Sequence, residues 1–183
     1  TWSASATNTA GSQRLEVGHR IIAIQQTRDQ ILIFTDEALF GMVFQGPPYT
    51  FGFRAIATSC APVGQNAAVE INGAVYWMGC GHFYIYSGRV QPIPCPVRDF
   101  VFDDLSEDFQ SISFGGTNRK FTEIWWFYPS SEATSPDRYV AFNYTTNEWF
   151  IGSLDRNVWI DDEDWLLFPT TTDSSGNVYY QEN

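Results

Sequence analysis

Carboxylates are the residues of this chain best placed to do chemistry. Four stand together at Asp161-Asp162-Glu163-Asp164, and four more fall within Asp103-Asp104-Leu105-Ser106-Glu107-Asp108. Such clusters can divide the acid and base work of glycoside hydrolysis between them, or hold calcium through their oxygens. The first run lacks the D-x-D-x-D-G spacing of a calcium loop. It is read as a solvated loop between repeats, and the second as a loop after Phe100-Val101-Phe102, where water keeps carboxylates ordinary. The two histidines, His19 and His82, stand in no H-x-x-x-H run, and the cysteines Cys60, Cys80 and Cys95 show no C-x-x-C spacing. His82 with Cys80 and Cys95 could be drawn as a metal site, but a polar turn residue is the plainer reading of His82. Three thiols cannot all pair within one chain, so they are read as mostly buried, reduced cysteines, few of which a thiol reagent should label without denaturant. The serines meet no G-x-S-x-G context, Gly115-Gly116 opens no P-loop, and nothing resembles a dinucleotide fingerprint. The expectation is a non-enzymatic chain with no catalytic residue, no cofactor and no metal.

Charge and composition narrow the partners. The 183 residues carry 10 Lys and Arg against 21 Asp and Glu, a formal charge of −11 that repels nucleic acid and anionic membranes. No apolar run approaches the roughly 20 residues of a membrane-spanning helix, and no signal-peptide pattern opens the chain. It is therefore read as soluble, without membrane insertion. The chain starts at Thr1 rather than Met and stops in the strand-like run Val178-Tyr179-Tyr180-Gln181-Glu182. A segment of a longer chain is expected on that ground. Aromatic residues reach 17 %, with 15 Phe, 9 Tyr and 7 Trp, a composition that suits pleated, half-buried strands.

What would have to position any site is a repeat. Ile31-Leu32-Ile33-Phe34, the turn Thr35-Asp36-Glu37 and Ala38 to Phe44 form one pair of β runs. Ala74 to Met78, the turn Gly79-Cys80-Gly81-His82 and Phe83 to Tyr86 form the next, with Met78 44 residues after Phe34 and Phe83 44 after Leu39. A third pair runs from Glu123 to Tyr128 and from Arg138 to Tyr144, with Phe127 49 residues after Met78. A truncated fourth is read in Trp165-Leu166-Leu167-Phe168, the turn Asp173 to Asn177, and Val178-Tyr179-Tyr180. Flanking strands are predicted at Arg20 to Gln25, Phe51 to Ile56, Ala67 to Ile71, Ser111 to Phe114 and Glu148 to Ser153. Asn72-Gly73 has the composition of a type I′ hairpin turn. Paired strands at a period of about 40 to 50 residues are the signature of propeller blades. The fold class is thus all-β, a β-propeller or propeller-like array of about four four-stranded blades. A single domain, 1–183, would hold blades at 18–60, 65–105, 110–156 and, incomplete, 157–183. Ile33, Leu39, Trp77, Phe83, Trp126 and Val140 offer apolar faces that one sheet cannot bury alone, so stacking must shield them. Tyr139 to Trp149 has the outline of a kelch-like hairpin, which speaks to fold and not to function.

The stretches Leu32 to Phe40, Val75 to Gly79 with Phe83 to Gly88, and Glu123 to Pro129 resemble the tail-hub or nozzle proteins of short-tailed bacteriophages, the tail tubular protein B type. The resemblance is one of pattern, spread from about Ile21 to Glu182, and carries no active-site signature. It implies a virion structural component, assembled in the host cytoplasm, whose propeller is part of a larger subunit. Six subunits ring the genome-ejection channel, so the partners would be copies of itself and other tail proteins. DNA would pass through without sequence-specific binding, and an acidic wall gives it little to stick to. This chain is far shorter than those proteins, which bears on whether it forms a ring alone. Two alternatives stay open: a lectin-like propeller that stacks sugars on Trp149, Trp159 or Trp165, and a glycosidase propeller.

Overall fold

The computed structural model describes residues 3, 5, 8, 10–161 and 169–181. Among the described residues fifteen strands form four small antiparallel sheets, each pairing in chain order. Sheet I holds β1 (Ile21–Gln26), β2 (Ile31–Thr35), β3 (Ala38–Phe44) and β4 (Phe51–Thr58). Sheet II holds β5 (Ala68–Ile71), β6 (Ala74–Met78), β7 (Phe83–Tyr86) and β8 (Val90–Ile93). After a short helix α1 (Arg98–Asp104) and a 3₁₀ turn at Gln110–Ile112 comes sheet III. Its strands are β9 (Phe114–Asn118), β10 (Glu123–Tyr128), β11 (Arg138–Asn143) and β12 (Glu148–Ser153). Sheet IV has three strands, β13 (Val158–Ile160), β14 (Thr170–Thr172) and β15 (Val178–Tyr180). The fold is all-β, and no described helix is long and apolar enough to cross a membrane.

The repeat is kept in the hydrogen-bond register. Phe34 lies opposite Leu39 in sheet I, and Met78 opposite Phe83 in sheet II. Asn72 and Gly73 turn the β5–β6 hairpin with φ of 53° and 82°, the two positive values a type I′ turn needs.

Alternation along the strands gives each sheet two apolar faces, and successive sheets stack through them. Leu32, Phe34 and Leu39 of sheet I meet Val75, Trp77 and Tyr86 of sheet II in one core. Tyr76, Met78 and Phe83, on the opposite face of sheet II, meet Ile124, Trp126, Val140 and Phe142 of sheet III in a second. Sheet III turns Trp125 and Phe127 to Trp159 of sheet IV, with ring centroids 5.8 and 5.6 Å apart. The first strands also neighbour one another in order, β1 beside β5, β5 beside β9, and β9 beside β13.

Two local expectations are corrected. Arg98–Asp104 is helical, so Asp103 and Asp104 close a helix, and only Glu107 and Asp108 of the acidic stretch stand in the turn that follows it. Two prolines, Pro94 and Pro96, end β8 before it, and the helix drops a fully buried Val101 onto the sheet II and III core. The opening strand of sheet III starts at Phe114, because Gln110–Ile112 is a 3₁₀ turn. In sheet IV the second described strand is Thr170–Thr172; Trp165 to Phe168 lie outside the described residues.

Candidate functional site

The described residues singled out for chemistry are scattered over the stack, and Asp161, Asp104 and Asp36 are tied into it by named partners. Asp161 accepts from the Thr117 backbone N–H at 3.0 Å and from the Thr117 hydroxyl, which fastens the end of sheet IV's first strand to β9. It is half-buried and tied, so it is not the freely solvated loop carboxylate expected of it; Asp162, Glu163 and Asp164 lie outside the described residues. Asp104 sits 3.3 Å from Arg138 Nε and pins α1 to β11. Asp103, Glu107 and Asp108 line an open hollow of about 660 Å³ with Phe102, Leu105 and Ser106. His19, in the segment before β1, lies exposed against the β2–β3 turn, with Nδ1 3.6 Å from Asp36 and 3.5 Å from Glu37. The His19 backbone N–H donates to Asp36 at 2.7 Å, and that bond holds the Asp36 carboxyl below its usual pKa.

His82 stands in the β6–β7 turn, its ring edge-on to Tyr84, and shares a hollow of about 390 Å³ with Cys95 and Arg98. Among the described residues no three His, Cys, Asp or Glu side chains converge within metal-binding reach. The cysteines are all free, but they divide by position: Cys60 is buried, Cys95 half-buried and Cys80 exposed. Burial pushes the Cys60 and Cys95 thiols up to about 11. The expectation of mostly buried thiols therefore fails at Cys80, which the β6–β7 turn lifts out of the sheet.

Aromatic rings make the joints. Trp77 of β6 donates its indole N–H to the Cys60 carbonyl at 2.7 Å, and Trp126 of β10 donates to the Ala67 carbonyl at 3.0 Å. Both rings are fully buried, and each reaches the segment that joins or opens the preceding sheet. Trp159 of β13 repeats the device with the Thr117 carbonyl at 3.0 Å. Gly115 and Gly116 make room on opposite faces of β9: a Cβ at Gly115 would stand 2.8 Å from Val69 of sheet II, and one at Gly116 only 2.2 Å from Trp159 of sheet IV. The Gly-Gly pair is thus a two-sided seat for the neighbouring sheets. Trp149 packs its ring on Phe142 and Phe83, with centroids 4.6 and 4.8 Å away, and donates to the Pro94 carbonyl. Trp77 and Trp126 hold matching repeat positions, 49 residues apart, but the carbonyls they meet, Cys60 and Ala67, lie in the segment between sheets I and II.

The two ends of the stack are unlike its interior. The outer face of sheet I carries Ile24, Ile31, Ile33, Phe40, Met42, Phe44, Phe51 and Phe53 by strand alternation and register. Leu15 and Val17 pack over Ile33, Ala38 and Phe40, whereas Ile24, Phe44 and Phe51 are 62, 72 and 47 % exposed. On sheet IV, Trp159, Thr171 and Tyr179 face sheet III's side of the ladder, and Val158, Ile160, Val178 and Tyr180 point the other way, all four exposed.

Compared with known proteins, the chain matches no family model and no curated protein sequence.

Proposed function

We propose that this chain is the propeller part of a non-enzymatic virion component, resembling the tail nozzle or hub that forms part of a phage genome-ejection channel. The observation that carries the reading is the order of the first strands: β1, β5, β9 and β13 lie side by side, and each sheet runs outward from them strand by strand. Blades around a common axis have that arrangement. Residues with chemical potential are spent on joints, as Asp161 on Thr117 and Asp104 on Arg138. A charge of −11 suits a wall past which DNA must slide. The sugar-binding alternative needs open tryptophans, and Trp149 and Trp159 both have their rings packed and their N–H groups engaged.

Immunogold electron microscopy of particles from the source lysate, using antibody raised against this chain, tests the reading. Gold at the tail vertex is the expected result. Particles without label, together with sugar binding on a glycan array, would replace it with the lectin reading.

A further inference from the structure

The one Asn-Gly pair in the chain, Asn72-Gly73, stands at the tip of the β5–β6 hairpin. Both residues are exposed, and nothing lies within 4 Å of where a Cβ on Gly73 would be. An asparagine side-chain amide is attacked most readily by the next backbone nitrogen when that nitrogen belongs to glycine, because no side chain shields it. Asn147 supplies a comparison within the same molecule. It too is exposed, lies in the β11–β12 hairpin turn and has a positive φ, 60°, but Glu148 follows it and crowds the nitrogen. A second feature sets Asn72 apart: the Gly73 N–H donates to Glu70 Oε1 at 2.7 Å. The nitrogen that would attack is thus already held by a carboxylate.

We infer that Asn72-Gly73 is a site of self-modification whose rate the Glu70 carboxylate holds down. In the reaction the Gly73 nitrogen gives up its proton and bonds to Asn72 Cγ, the Cγ–Nδ2 bond breaks, and Nδ2 takes up a proton to leave as ammonia. Water then opens the five-membered imide at either carbonyl, which leaves an aspartate or an isoaspartate in place of Asn72. No oxidant or reductant takes part. Glu70 opposes the first step twice: its hydrogen bond must break before the nitrogen can turn to Cγ, and its charge disfavours an amide anion beside it. An isoaspartate lengthens the main chain of a turn whose two central residues are set at φ of 53° and 82°, and so it breaks the fit of the two-residue loop to its strands. The strand it loosens is β5, which lies beside both β1 and β9. The inference is independent of the virion reading.

The test incubates the 183-residue chain in warm, mildly alkaline buffer and follows each asparagine by peptide mass spectrometry, with isoaspartate separated from aspartate. Asn72 is expected to convert several times faster than Asn147, with isoaspartate the larger product. Glu70→Ala should speed conversion at Asn72 about tenfold and leave the Asn147 rate unchanged. Glu70→Gln, which keeps an acceptor without the charge, should fall between. A variant that merely loosens the fold raises both rates together, so the ratio of Asn72 to Asn147 is the readout. Conversion at Asn72 no faster than at Asn147 in the unchanged chain overturns the site. A ratio that Glu70→Ala leaves unchanged overturns the role of Glu70, and a lowered ratio would make the carboxylate a base that promotes the reaction.

Discussion

Two buried indoles show how single residues hold this fold. Trp77 and Trp126 fill the joints between sheets and spend their one polar group on a carbonyl of the preceding segment. Phenylalanine in either place keeps most of the ring volume but loses the donor. The Ala67 carbonyl retains the Met78 backbone N–H at 3.3 Å, so the loss is one bond and not a bare buried oxygen. Trp126→Phe should cost about 1 to 2 kcal/mol in urea unfolding, whereas Trp126→Ala, which also opens a cavity, should cost about 3 to 5 kcal/mol. A neutral Phe variant would show that the indole bond is incidental to the joint.

Among elements, the β14–β15 hairpin is the piece most dependent on one side chain. Asp173 accepts from the Ser175 and Asn177 backbone N–H groups at 3.0 and 2.8 Å, from the Asn177 amide at 2.9 Å and from the Tyr179 hydroxyl at 2.9 Å. These donors favour the ionised form, the Asn177 side chain most of all, and bring its pKa to about 2 from 3.8. A lowered pKa means that the turn is fully supported above about pH 4 and loses that support as pH falls toward 2. The protection of the Asn177 amide, its exchange rate relative to the intrinsic rate at the same pH, should fall over that interval and return on neutralisation. Asp173→Ala should exchange fast throughout. Protection that survives at pH 2 in the unchanged chain would assign the turn's order to its backbone alone.

For the whole molecule, stability is shared between sheets. Leu32, Phe34 and Leu39 are wholly buried, and sheet II is what covers them. A fragment of residues 10–60, which contains sheet I alone, should give a disordered circular dichroism spectrum, because its inner face has no cover and four strands cannot bury both sides. A fragment of residues 10–156 keeps both principal cores and should unfold in one cooperative step. A folded, cooperatively melting 10–60 fragment would mean that the sheets are independent units, and the stacking argument would lose its energetic basis.

The strand pairs were legible because a strand buried on alternating sides writes its period into the sequence, and because Asn72-Gly73 admits few backbone conformations other than its turn. The 44-residue spacing from Phe34 to Met78 likewise carried the register of two sheets. Local pattern failed at Arg98–Asp104, where Asp99-Phe100-Val101-Phe102-Asp103 is an apolar triplet between acids, too short to show a helical period, yet it connects two sheets and buries Val101 as a helix. It also passed over Val158–Ile160 and the all-threonine Thr170–Thr172, strands of three residues each, too short to display a period. Which of the three thiols read as mostly buried would be the exposed one, Cys80, was not legible, because a turn's height above its sheet is not written in its residues. Which carbonyl meets Trp126, why β9 needs two adjacent glycines, that Asp161 holds Thr117, and which two faces of the stack are left open were decided only by the tertiary structure. Each of these depends on how one sheet sits on the next, and that placement joins residues tens of positions apart through contacts no single repeat contains.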